Sequence, residues 1–494
     1  MNPNAETGGP LPEVVDYIVV GAGSSGVVMA ARLSADPDTS VLLLEAGDVM
    51  DPEIIRVPAR APALWSGPTA YENPTVPQAG LGGRSVGLTT GRGLGGSSGI
   101  NGLGWLRGRP DDFDGWAEQG AKGWGWADMA PYLNLIEDHE LGAGERRGAG
   151  GPMAVHTPYH LHPATIRYLA AGQEMGWAVE PDLNGAGGEC VGLTPGNMRD
   201  GARHSVLDGY LDPARTWPNL MVRTGRQVER IELDGDRAAG VHCGQQQVRA
   251  RRSVILCAGA LRTPQLLSLS GLGPRAQLRR PAAQSGFDTD PELVYQLSRR
   301  GPLAALGQAS ATVRSTPEVA VPDLQLSITM GTWDVTNTAP MATCLIALLA
   351  PDSRGTVTLR SADPADSPVF DPGYLADRRD HDRLRHGIRT ALRLFAVPAL
   401  GSILGPVMGL TDDPSDADLD DYLVANTSTY WHPVGTARMG TDPMSVVDLD
   451  LAVHGVTGLR IADASVIPTI PRANTQATVI AVAERAAAQV IAAR

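Results

Sequence analysis

The chain is poor in cysteine. Its 494 residues include four, Cys190, Cys243, Cys257 and Cys344, none spaced as C-x-x-C. That number and spacing exclude a disulfide framework and a cysteine-held zinc site, and they fit a reducing compartment. Cys257 lies inside an apolar run and reads as core. Long apolar runs are missing too: no stretch approaches the ~18 uninterrupted apolar residues of a membrane span. The start lacks the basic and then apolar pattern of a secretory leader. Residues 1–12, polar and rich in Pro and Gly, read as a loose tail. Positive charge is in deficit, with 41 Lys+Arg against 54 Asp+Glu and a formal net charge of −13. A surface of that sign argues against nucleic acid or an anionic membrane as partner. No repeat at solenoid periods is visible. These absences predict a soluble, cytoplasmic protein, and the length suggests about three domains.

Glycine is what the chain has, in two clusters. The first interrupts an apolar run, Tyr17-Ile18-Val19-Val20, with Gly21-Ala22-Gly23-Ser24-Ser25-Gly26. A helical pattern follows over Val27–Leu33, then a second strand, Val41–Leu44, that ends in Glu45. This is the βαβ unit of a dinucleotide site. Gly21 permits the tight turn, Gly23 lets backbone approach a pyrophosphate, and Gly26 lets helix pack on sheet. The helix N-terminus offers unpaired N–H groups to phosphates. Glu45 stands where an acid can accept hydrogen bonds from a ribose diol. The motif alone does not separate FAD from NAD.

The second cluster spans Gly91 to Gly102. So many glycines argue against regular structure and for a backbone passing close to something flat or charged. Further on, Ser253–Ala260 reads as a buried strand ending in a glycine turn. A helix is expected to start at Thr263-Pro264, with Thr as N-cap and Pro first, and to stop near Gly271. This second strand–turn–helix lies over two hundred residues after the first, so the nucleotide-binding domain is discontinuous. Between about 285 and 425, Leu324–Ile328 and Thr356–Leu359 alternate as antiparallel strands with one wet face. Cys344–Leu349 reads as a buried strand, with helices around 379–396 and 416–424. This predicts a second domain of the α+β kind.

Near the C-terminus stands Tyr430-Trp431-His432-Pro433-Val434-Gly435-Thr436. Pro433 restricts His432 to extended backbone, and Trp431 and Val434 are expected to dry its surroundings. A His so placed suits a general base. Strand Leu459–Ala462 leads to Asp463, and Asn474 or Thr475 can cap a final alanine-rich helix from Ala477 to about Ala493.

Taken together, these motifs resemble the glucose–methanol–choline (GMC) family of FAD-dependent oxidoreductases over nearly the whole length. The resemblance rests on the βαβ start, Gly95-Gly96-Ser97-Ser98-Gly99-Ile100-Asn101, and Gly259-Ala260-Leu261-Arg262-Thr263-Pro264 with Ser270-Gly271-Leu272-Gly273. It rests also on Ser353-Arg354-Gly355-Thr356-Val357-Thr358-Leu359, the His432 segment and Asn474-Thr475. It implies an α/β, Rossmann-like FAD-binding domain, discontinuous, with an inserted α+β substrate domain on an antiparallel sheet. After the tail (1–12), FAD-binding parts at 13–155, 199–280 and 429–494 would alternate with substrate-domain parts at 156–198 and 281–428.

The resemblance implies an active pair, His432 and Asn474, on the re face of the flavin. It implies FAD contacts from Gly21, Gly23, Ser24, Ser25 and Gly26, from Glu45 and Ala46, and from Gly96, Ser97, Asn101 and Leu103. The backbone of Val228 near the adenine, Ala258, Asp463, Ala464, Thr475 and Gln476 complete the set. Ile100 stands where some members attach FAD through His, so FAD is expected to be non-covalent. The family's usual continuation after Gly273-Pro274 is missing, and Arg275–Leu306 reads as shortened. The implied reaction oxidises a small-molecule alcohol, His432 taking the proton while hydride leaves to flavin N5, with O2 or another acceptor downstream. The last helix would offer its N-terminus to the negative charge of reduced flavin. A lyase of the same family, with FAD and a His base but no net redox, is the alternative.

Overall fold

The computed structural model describes residues 9–185, 187–272, 307–330 and 342–494. Residues 1–8 of the expected tail, and the expected shortening at Arg275–Leu306, lie outside them. Residues 9 and 10 are not loose: the Gly9 carbonyl accepts from Arg226 at 3.2 Å and the Pro10 carbonyl from Arg223 at 3.2 Å.

One sheet organises the nucleotide side. Its strands are β1 (Val14–Val20), β2 (Val41–Leu44), β3 (Leu220–Arg223), β4 (Arg230–Asp234), β5 (Arg237–Cys243), β6 (Gln246–Leu256) and β7 (Leu459–Ile461). The order is β3-β2-β1-β6-β5-β4, with β7 beside the end of β6. β3, β2, β1 and the second half of β6 run parallel, as does β7, while β4 and β5 are antiparallel. Parallel strands covered on both faces need apolar residues at every position. β2, Val-Leu-Leu-Leu, is buried throughout. Helix α1 (Ser24–Leu33) and the last helix lie packed together against this layer.

Of the other helices packed on this half, α2 (Gly259–Leu269) follows β6 and the last helix is α3 (Thr475–Ala492). α2 starts four residues before the position expected from Thr263-Pro264. Gly259, at φ +82°, turns the chain off β6, and Pro264 is accommodated inside the helix. The Thr263 hydroxyl does not cap; it donates to Asp463 at 2.6 Å. The sequential ends of β1, β2, β6 and β7 meet at one edge, where open α/β sheets bind ligands. The residues just past those ends are Gly21, Glu45, Cys257-Ala258 and Ala462-Asp463.

A second sheet has the strand order Ala342–Leu348, Leu324–Met330, Ala309–Val313, Cys190–Leu193, Ala178–Val179. It is antiparallel except for the last pair. Ala309, Ala311, Val313, Leu324, Leu326 and Ile328 form one face and pack with Tyr168 and Ala171 of helix Pro163–Glu174 and Leu394 of helix Arg378–Ala396. Burying a Leu or Ile there is worth about 1.5–3 kcal/mol each.

The other face departs from the expectation of a wet side. Ser310, Gln325, Ser327 and Thr329 are buried, at 1–8% exposure. Period-two alternation is the same for a strand facing solvent and a strand facing an internal cavity, and here the polar face turns inward. Cys344–Leu349, expected to be a buried strand, falls on the edge strand Ala342–Leu348, which is mostly half-buried. Thr356–Thr358 pairs apart from this sheet, with Val369–Asp371.

Candidate active site

The two glycine clusters touch. At Gly26 a β-carbon would sit 1.8 Å from the Gly21 carbonyl oxygen, so the turn closes only over glycine. At Gly96, φ +50°, a β-carbon would meet Gly23 Cα at 2.8 Å. The second cluster is not wholly irregular: Ser97–Ile100 forms one helical turn starting after Gly96. Gly23 precedes α1 with no side-chain cap, and α1 has no acid in its first turn. Its N–H groups and partial positive charge are thus left for an anion.

Glu45 ties the two loops. Its carboxylate, 7% exposed, accepts from the N–H groups of Ala22 (2.8 Å), Gly47 (2.9 Å) and Gly93 (3.0 Å). Burial raises its pKa, and those three donors oppose the rise. Asp463 is more fully engaged. It accepts from Gly259 N–H (2.8 Å), Thr263 Oγ1 (2.6 Å), Ser465 N–H (2.9 Å) and Ser465 Oγ (2.6 Å). Four donors on two oxygens make it a fastener between α2 and the end of β7.

His432 sits across the cavity on an extended loop. Asn474 Nδ2 lies 3.1 Å from Nε2, and Thr475 Oγ1 lies 3.1 Å from Nδ1. An amide N–H can only donate, so Nε2 accepts and Nδ1 carries the proton toward Thr475. Burial pushes the His432 pKa down to about 4, so the imidazole is neutral at physiological pH. The ring closest to it is Tyr430, edge-on at 5.4 Å. Trp431, expected to dry it, is 37% exposed and pairs with Trp65 at 5.5 Å. Val434 packs into the core of the first sheet instead.

Asn474 occupies the N-cap position of α3, but its side chain makes no capping bond. Its Nδ2 faces His432 and its Oδ1 is buried without a partner. Gln476 Oε1 accepts from Asn101, leaving Gln476 Nε2 buried and unpartnered. Such orphaned atoms cost about 1–3 kcal/mol each unless a ligand satisfies them.

One continuous cavity takes in every residue singled out from the sequence except Gly26, which packs beneath the turn. It begins at Gly21, Gly23, Ser24, Ser25, Glu45 and Ala46, passes Val228, Ala258, Asp463 and Ala464, and runs by Gly96, Ser97, Asn101 and Leu103. It ends at His432, Asn474, Thr475 and Gln476. Sequence reasoning missed Trp65, Thr194, Ser310, Gln325, Ser327, Thr329 and Tyr430, which line it as well. The polar positions of Leu324–Met330 were the available signal. Among the described residues no cluster of His, Cys, Asp or Glu is arranged to hold a metal, and no helix is long and apolar enough to cross a membrane.

Uncapped helix N–H groups, glycines that admit a close backbone approach, and unpartnered amides suit an extended dinucleotide. Comparison with known proteins agrees. The GMC oxidoreductase N-terminal and C-terminal family models match residues 15–299 and 351–483. The chain is 38% identical to an uncharacterized GMC-type oxidoreductase of Mycobacterium bovis, covering 96% of this chain and 98% of that one. It is 34% identical to an oxygen-dependent choline dehydrogenase of Ectopseudomonas mendocina, over 96% and 93%. Among solved structures, pyridoxine 4-oxidase from Mesorbium loti superposes with a TM-score of 0.86 at 29% identity, over 97% and 99%. The chain therefore belongs to the GMC oxidoreductase family and is an FAD-dependent oxidoreductase.

Proposed function

We propose that this protein oxidises a small alcohol to an aldehyde or ketone, with His432 as general base and Asn474 as its partner. The observation that carries the reading is a neutral imidazole whose Nε2 lone pair faces a single amide donor at 3.1 Å. FAD, held non-covalently, would supply the acceptor for the hydride of the carbinol carbon, and dioxygen or another electron acceptor would take the electrons onward. The alcohol oxygen accepts from Asn474 Nδ2 and gives its proton to His432 Nε2. Thr475 Oγ1 holds the opposite ring nitrogen and so keeps the tautomer in which Nε2 is unprotonated and can act as base. A proton transfer to a positioned base contributes about 10²–10⁴ in rate.

The N-terminus of α1 would take the pyrophosphate. Glu45 retains lone pairs for a ribose hydroxyl, and Gln476 Nε2 offers a donor to the ring system. The N-terminal turn of α3, with no acidic residue, adds partial positive charge beside the cavity. Ile100 is 3% exposed among Met50, Ile55 and Leu64 and gives no atom for a covalent link.

The test uses protein purified with its yellow cofactor. His432→Ala should keep the visible absorbance and lose about 10²–10⁴ in the rate at which alcohol bleaches it. Bleaching as fast as in the wild type would refute the assignment.

A further inference from the structure

We infer, resting on the reading of His432 as base, that the alcohol taken here is uncharged and bears a second hydroxyl remote from the reacting carbon, and that Gln325 recognises that hydroxyl. The inward face of the second sheet is a cluster of neutral hydrogen-bonding groups. Thr194 Oγ1 and Ser327 Oγ both lie 2.8 Å from Ser310 Oγ. Gln325 Nε2 donates to Ser327 Oγ at 2.9 Å and toward Ser310 Oγ at 3.4 Å. The hydroxyls thereby satisfy one another and hold the amide. Gln325 Oε1 is left over: the side chain is 2% exposed, lines the cavity, and its oxygen has no partner. A buried carbonyl without a donor is costly, and a substrate hydroxyl supplies the donor.

The cluster is within reach of the chemistry. Tyr430 and Ser327 line the same cavity, and the Tyr430 ring stands edge-on to His432 at 5.4 Å. The base and the hydroxyl cluster thus line one cavity, with Tyr430 among the residues beside them.

Charge is the second discriminator. Among the described residues lining the cavity, the carboxylates are Glu45 and Asp463. Both lie at the edge of the first sheet and are engaged by backbone and hydroxyl donors. Arg262 stacks on Tyr71 at 4.2 Å and donates to Asn73 and Ser367. None of the described cavity residues on the second sheet is charged. A quaternary ammonium or carboxylate placed there would lose its hydration without a counter-ion.

The experiment compares matched alcohols on the FAD-loaded enzyme: 1-hexanol with 1,6-hexanediol, benzyl alcohol with 3-hydroxybenzyl alcohol, and choline as the charged control. The hydroxyl-bearing member of at least one pair should have a kcat/KM about tenfold or more above its mate, with choline slower than either. Gln325→Leu should bring that ratio to about one, with most of the loss on the hydroxyl-bearing member of the pair. Ser310→Ala, which removes an anchor of the amide, should lower the ratio in the same direction. Binding of m-cresol and toluene, followed by tryptophan fluorescence from the cavity, should show the same preference and its loss in Gln325→Leu. Equal kcat/KM within both pairs, or a preference untouched by both variants, overturns the inference and leaves the role of His432 standing. If no alcohol bleaches the cofactor, the alcohol reading fails instead, and the cresol-to-toluene ratio still decides what Gln325 recognises.

Discussion

The two walls of the cavity are built by different rules. The wall beside the first sheet presents mainly backbone: glycine turns, the first N–H groups of α1, and peptide donors gathered by Glu45 and Asp463. The wall beside the second sheet presents side chains, Ser310, Gln325, Ser327 and Thr329, on strands whose reverse face is core. Backbone can bind what every family member shares, because its donors do not change with the residue. Side chains on a preformed sheet can be exchanged without altering the fold, so under the proposed function discrimination among alcohols would belong there. His432 and Asn474 lie between, on loops after the second sheet and before α3.

The sharpest way to break this contrast is to damage the backbone wall through the one side chain that organises it. Glu45→Ala leaves the N–H groups of Ala22, Gly47 and Gly93 without their acceptor. Partial rehydration from the cavity brings the loss to about 2–5 kcal/mol of stability, and FAD affinity should fall more than tenfold. Denaturant unfolding and FAD titration of the apoprotein measure both. Retention of both within error would mean that the loops hold themselves together and that Glu45 serves neither them nor the cofactor.

A second test concerns the electrostatics of the region between the walls. The folded-state pKa of His432 is depressed to about 4, below its ordinary value of 6.5. The unfolded chain therefore takes up a proton first as pH falls. Stability present above pH 6.5 is lost progressively down to about pH 4, and His432→Gln should remove that part of the pH dependence. The acid limb of kcat/KM should likewise have its midpoint near 4. A midpoint near 6.5 would show a hydrated imidazole and a cavity wetter than its lining suggests.

What was legible in the sequence follows the same division. The G-x-G-x-x-G turn was readable because close backbone approach forbids a β-carbon, and the 1.8 Å clash at Gly26 is that prohibition in physical form. The local setting offered His432 as a candidate base, and the structure places it on the cavity; the family resemblance rested on spaced motifs of the same kind. The polar face of Leu324–Met330 was misassigned to solvent because alternation records polarity and not where the polar side looks. Asn474 offered two roles, cap or site, and only the direction of its side chain separates them. The start of α2 depended on Asp463, some two hundred residues away, gathering Gly259 and Thr263, a contact no local pattern encodes.

The smallest effect to look for lies next to the base. Trp431 holds φ at +60°, a left-handed backbone conformation that a β-carbon disfavours by about 1 kcal/mol. Its N–H donates to Thr429 Oγ1 at 3.0 Å, and its ring pairs with Trp65. Both Trp431→Ala and Trp431→Gly lose the ring contact, worth about 0.5–1.5 kcal/mol, but only the glycine variant also relieves the backbone. Trp431→Gly should therefore be the more stable of the two by about 1 kcal/mol, the reverse of the usual order for these residues in regular structure. Thermal unfolding of the pair checks the sign. If the alanine variant were equal or better, the loop before His432 would be relaxing rather than storing strain.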